Sequence, residues 1–218
     1  MMAETYKINT TDVTSFLTHL QVVDGNIAVA PLRQADYVVP GRTGAIAATP
    51  WWGPRVVTFG GVVAGASRSA YQTNVKGLAK LVHNGGQPFT LQRTLDVPGT
   101  PSTQVTEATA RYLGGLESVD EVSNRVARVA FDVQLMDGYF YEGGTTLAGT
   151  VTGTATFTVT GDAPTQLVTL AYSVGAGSQR VSNAAFPGLG RLTLVPGSNT
   201  LTLTGGGSVV VSYRAAYL

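Results

Sequence analysis

The 218-residue chain carries 14 basic and 13 acidic side chains, two histidines and no cysteine, with 44% apolar and only 12% charged residues. A net charge of +1, spread without blocks, excludes a basic stripe that grips phosphates, and the lack of cysteine excludes disulfides and thiolate metal sites. The most apolar run, residues 56–66, has three glycines in 11 residues and falls short of the roughly 20 that span a bilayer.

The length suits one large domain or two small ones, and a composition break at Gly143-Gly144-Thr145-Thr146 favours two, 1–142 and 143–218. Residues 1–142 hold 11 of the 14 basic and 12 of the 13 acidic side chains, leaving only Asp162, Arg180, Arg191 and Arg214 beyond. The amino end lacks the basic-then-apolar layout of a secretory signal, so assembly in a cytoplasm is expected. Two readings of the apolar excess stand side by side: surface to be buried against copies or partners, or a Gly/Thr/Val-rich β protein.

Along the first part, strands are expected at 37–39, 55–63, 89–95, 105–116 and 125–136. The last is the clearest, with Ala127, Val129, Phe131, Val133 and Leu135 on one face. Between them Tyr71, Val75, Leu78 and Val82 keep helical spacing, and Lys76, Lys80 and His83 fall on other faces. That predicts a helix over 69–84, ended by Asn84-Gly85-Gly86. Asp120-Glu121 reads as a solvated turn.

Beyond residue 143 no helical period occurs. Ala155-Phe157-Val159 and Val168-Leu170-Tyr172-Val174 alternate with small polar residues, and another strand is expected over 179–183. Residues 191–218 read as three strands: Leu192 and Leu194, then Leu201 and Leu203, then Val209, Val211 and Tyr213 recur at every second position. Pro196-Gly197-Ser198-Asn199 and Gly205-Gly206-Gly207 are the turns between them.

Catalytic chemistry finds little footing. His19, with Asp12 or Asp24 near it in sequence, and His83, in the last helical turn, are the only histidines, and no serine sits in a glycine elbow. No zinc spacing occurs, and Gly188-Leu189-Gly190 and Gly205-Gly206-Gly207 precede strands, so neither cradles a phosphate. No catalytic, metal or cofactor-binding residue is assigned, and the chain reads as a non-enzyme. Trp51-Trp52, set between Thr49-Pro50 and Gly53-Pro54, is the notable cluster. It is suited to anchor a subunit contact, fill a core or stack on a sugar.

The end of the chain resembles the carboxyl end of distal tail proteins of long-tailed (siphovirus-type) bacteriophages. A "PG.N.L" turn is matched by Pro196, Gly197, Asn199 and Leu201, and a final "V.V.YR..YL" strand by Val209, Val211, Tyr213, Arg214, Tyr217 and Leu218. Pro40-Gly41-Arg42-Thr43-Gly44, then Thr58-Phe59-Gly60-Gly61-Val62, then the helix, follow the family's order in the first part. The resemblance implies a mainly β (α+β) fold: a tail-tube-like sandwich with one flanking helix over 1–142, and a galectin-like sandwich over 143–218. It also implies a structural virion protein of the tail tip. Six copies would close into a ring that joins the tail tube protein to the tail-associated hub of the baseplate, and DNA would pass through the lumen without specific binding. Trp51, Trp52 and Arg42 are then candidate interface residues. The alternatives are a tail-tube or other tail ring subunit, a carbohydrate-binding module for host attachment, and, with least support, a hydrolase.

Overall fold

The computed structural model describes residues 4–24, 32–33, 37–38, 45–46, 51–96, 103–116, 120–144, 146–173, 180–184 and 192–217. In chain order its elements begin with β1 Glu4–Ile8, β2 Thr11–Asp12, a short 3-10 turn Val13–Ser15, β3 Thr18–Asp24, β4 Leu32–Arg33, β5 Tyr37–Val38, β6 Ala45–Ile46, β7 Trp51–Trp52 and β8 Arg55–Ala64. The helix α1 Arg68–His83 follows, then β9 Phe89–Asp96, β10 Thr103–Gly114, β11 Asp120–Ser123, β12 Val126–Leu135 and β13 Phe140–Glu142. The rest is β14 Thr146–Val151, β15 Thr154–Val159, β16 Val168–Tyr172, β17 Arg180–Asn183, β18 Gly197–Thr204, β19 Val209–Tyr213 and β20 Ala216–Tyr217. The protein is mostly β, with one α-helix among the described residues.

Two compact units result: Met1–Pro31 with Trp52–Phe140, and Leu32–Trp51 with Tyr141–Leu218. The composition break near residue 143 suggested a single cut, whereas Leu32–Trp51 groups with the second unit.

The first unit is built on one antiparallel sheet in the order β2-β1-β9-β10-β12-β8-β3, with β11 also paired to β12. Its spine is the unbroken ladder of β12 with β8, from Val126↔Ala64 to Leu135↔Arg55. The alternation of β12 is what makes this possible: Ala127, Val129, Phe131, Val133 and Leu135 are all buried, and their neighbours point outward. Phe131 stacks on its register partner Phe59 at 5.3 Å between ring centroids. Tyr6 of β1 meets the same Phe59 edge-on at 5.0 Å. Strands β1 and β8 stand four positions apart in the sheet, a span of about 19 Å if it were flat, so the sheet curls until its two ends share one core.

Helix α1 packs on that core through Tyr71, Leu78 and Val82. The Ser67 hydroxyl accepts from the Ala70 amide at 3.1 Å as its N-cap, and Asn84 takes the left-handed conformation (φ 45°) as its C-cap. The expected 69–84 is therefore the observed helix shifted by one residue. Its close seat depends on Gly65, where a Cβ would lie 2.2 Å from the Tyr71 backbone nitrogen.

The second unit contains two three-stranded antiparallel sheets, β14-β19-β16 and β15-β18-β17. Val151, Val209, Val211 and Tyr213 from the first share a core with Val159, Leu201 and Leu203 from the second, which makes it a sandwich. Three expectations are corrected. Leu192 and Leu194 do not form a strand; Leu194 makes a single bridge to Thr165. Gly197 is no longer a turn residue but opens β18 with φ +87°. The reason is Asn199, fully buried, whose side chain accepts from the Val195 amide (2.9 Å) and Asn183 Nδ2 (2.8 Å) and donates to the Val195 carbonyl (2.7 Å). That network takes the backbone groups a preceding strand would need. In the first unit, Asp120-Glu121 belongs to β11 instead of a free turn, because Asp120 pairs with Arg128 and Glu121 with Ala127.

Candidate interaction surfaces

The expected interface residues come first. Trp51 and Trp52 form the two-residue strand β7, which pairs with β4. Arg42 lies outside the described residues.

A buried arginine–aromatic cluster closes one end of the first unit's core. Arg93 faces inward from β9 because it follows Leu91 by two residues, and in the ladders it stands between Tyr6 of β1 and Thr106 of β10. Arg55 opens β8. Both arginines are 3% exposed, and their guanidinium carbons lie 4.3 Å (Arg93) and 5.8 Å (Arg55) from the ring centroid of Phe140, within cation–π range. The Tyr6 hydroxyl donates to Glu4 Oε2 at 2.7 Å. Burial first, and then that carboxylate, push the Tyr6 phenol well above the usual tyrosine range, against the opposing pull of Arg93 and Arg55. Burial likewise raises Tyr139, with Arg55 opposing. This arrangement keeps its phenols protonated and its cations on an aromatic face. It is a desolvated anchor for the end of the unit at Phe140, with no activated nucleophile in it.

The histidines do not join it. His19 is exposed in β3 with φ +55°, and His83 ends α1. Among the described residues, no group of three or more histidine, aspartate and glutamate side chains is placed to hold a metal ion.

The outer side of the first unit's sheet exposes Val56, Val105, Leu113 and Met136 at 38–46%. Beside α1 a second feature opens: a cleft of about 210 Å³ lined by Ala79, His83, Tyr112 and Leu116. The rings of His83 and Tyr112 stand 6.1 Å apart, tilted by 56°. Leu116 reaches the cleft because the chain turns at Gly115 (φ +105°), where a Cβ would lie 2.9 Å from the Ala130 carbonyl oxygen and Phe131 Cα. The Leu116 amide donates to the Tyr112 hydroxyl at 3.1 Å and holds that turn. His83 was legible as part of the polar side of an amphipathic helix. Its proximity to Tyr112 and Leu116 was not, because it depends on a glycine turn that follows a strand distant in sequence.

No protein-family model and no curated protein matches the chain. Among solved structures it is similar to the SPP1 Dit (gp 19.1) protein, described as a paradigm of the hub adsorption apparatus in phages infecting Gram-positive bacteria. The TM-score is 0.62 at 14% identity, covering 97% of this chain and 99% of that one. A chain of the phage P2 baseplate, in its activated conformation with calcium, is similar at a TM-score of 0.46 and 8% identity, over 96% of this chain and 98% of that one. Over nearly its whole length, the chain has the fold of SPP1 Dit, the fold class that its own turn and strand motifs resemble.

Proposed function

We propose that the protein is a structural component of a phage tail tip, a ring subunit of the distal tail. The observation that carries this reading is the extent of the likeness to SPP1 Dit: 97% of this chain and 99% of that one, so that both units are included. A tail-tube subunit would account for the first unit alone. On this reading six copies close into a ring, which buries apolar surface such as Val56, Val105, Leu113 and Met136 without open-ended growth. The ring joins the tail tube to the hub of the baseplate and leaves a channel through which DNA passes, a role suited to a net charge of +1. The protein resides in the virion, assembles in the host cytoplasm and performs no catalysis.

Negative-stain electron microscopy of the purified protein, alone and mixed with its tube and hub partners, tests the proposal. Rings with a central hole are expected. A particle that remains monomeric in every mixture by light scattering overturns it.

A further inference from the structure

The exposed side of α1 carries cations but no carboxylate, with Ser69, Gln72 and Thr73 as its neutral members. Arg68, Lys76, Lys80 and His83 project from a 16-residue helix that contains no carboxylate. Lys76, Lys80 and His83 follow one another at four and three residues and so share one ridge. Among the described residues, none of these four side chains has an ion-pair partner. The ridge borders the cleft directly: Ala79 and His83, which line it, alternate along the helix with Lys76 and Lys80. An apolar hollow is thus set against unpaired positive charge.

We infer that this cleft and ridge are a docking surface for a short acidic polypeptide segment. One aliphatic or aromatic side chain seats between Ala79, His83, Tyr112 and Leu116, and flanking carboxylates face Lys76 and Lys80. The cleft, at about 210 Å³, has room for one such side chain. Affinity comes from the desolvated anchor, and the lysines, being exposed, contribute rate and selectivity by rejecting basic segments. Nucleic acid fits less well, since tight phosphate binding takes several cationic contacts and gains nothing from an apolar hollow. The inference goes beyond the tail-ring reading and does not depend on it.

The test is fluorescence anisotropy of the full chain with a labelled hexapeptide, a central Leu-Phe pair flanked by aspartates and glutamates. Two control peptides replace the pair by serines or the acids by lysines. Saturable binding of the acidic Leu-Phe peptide alone is expected, weakened about tenfold by the double variant Lys76→Glu, Lys80→Glu and abolished by Ala79→Phe, which fills the cleft. Both variants change surface positions of the helix, and circular dichroism checks that they fold. Absence of saturable binding, equal binding of the lysine peptide, or binding indifferent to both variants overturns the proposal. So does binding of a labelled oligothymidine lost in the lysine variant, or self-association lost in Ala79→Phe. Those results assign the surface to nucleic acid or to a second copy.

Discussion

The Tyr6 ring meets the Phe59 ring edge-on at 5.0 Å, although their strands are separated by three others in the sheet. This contact joins the two ends of a curled sheet, and both rings are at most 2% exposed. Replacing Phe59 by alanine removes its contacts with both Tyr6 and Phe131, and a loss of about 3–5 kcal/mol is expected. Urea unfolding of the variant measures it; a loss below about 1 kcal/mol means that the contact does not close the core.

Tyr6 also predicts alkaline behaviour. Its phenol is raised above the ordinary tyrosine value, chiefly by burial, so the folded state keeps a proton that the unfolded chain releases. The resulting stability is fully present below about pH 10, the unfolded value, and is lost as pH rises toward the folded one. Tyr6→Phe sacrifices the bond to Glu4, about 1 kcal/mol at neutral pH, but lessens the alkaline loss. The urea midpoint at neutral and strongly alkaline pH, compared between the two proteins, should show a smaller drop for the variant.

Two glycines at α1 should respond differently to alanine. At Gly65 the added methyl meets the helix backbone itself, 2.2 Å from the Tyr71 nitrogen, and a loss of about 3 kcal/mol is expected. At Gly77 it meets only the ring of Phe16, at 2.4 Å. Gly77→Ala should destabilise the native protein, yet stabilise a Phe16→Ala background by up to about 1 kcal/mol through helix propensity. A double-mutant cycle by thermal unfolding checks the reversal of sign, and additive effects would refute it.

Asn199 is the polar pivot of the second unit, and Asn199→Leu leaves part-buried backbone groups of Val195 and the buried amide of Asn183 without their partner. A loss of about 2–4 kcal/mol is expected. Asn199→Asp should fare no better, because the carboxylate faces the Val195 and Gly197 carbonyls in place of the amide donor. Hydrogen exchange at the Val195 amide reports the change, and unchanged protection in both variants would contradict it.

The tryptophan pair bears on assembly. Trp51→Ala with Trp52→Ala is expected to weaken ring formation by about 2 kcal/mol or more per contact, with a smaller effect on the melting temperature. Sedimentation and thermal unfolding of the same sample separate the two; a collapse of melting temperature with intact rings assigns the pair to a core.

Much of this protein is legible locally. The spacing of Tyr71, Leu78 and Val82 sets the helix, the alternation from Ala127 to Leu135 sets the central strand, and Gly205-Gly206-Gly207, with φ between 78° and 98°, marks a turn no other residue type adopts easily. These are short-range constraints, imposed by backbone sterics and by the period at which a chain buries one side. Other features depend on partners far away in sequence. Strands β1 and β3 open the chain in a polar context, and only pairing with β9 and β8 respectively reveals them. Asp120 becomes a strand residue because Arg128 lies opposite it, and Leu192-Leu194 fails as a strand because the Asn199 side chain occupies Val195. The grouping of Leu32–Trp51 with the second unit follows no composition shift, and the cleft beside α1 needs Gly115 to bring Leu116 to His83. The sequence by itself determined which segments bury one face; tertiary structure decided which faces meet, since that choice is made by packing summed over the whole core and not by any residue's own preference.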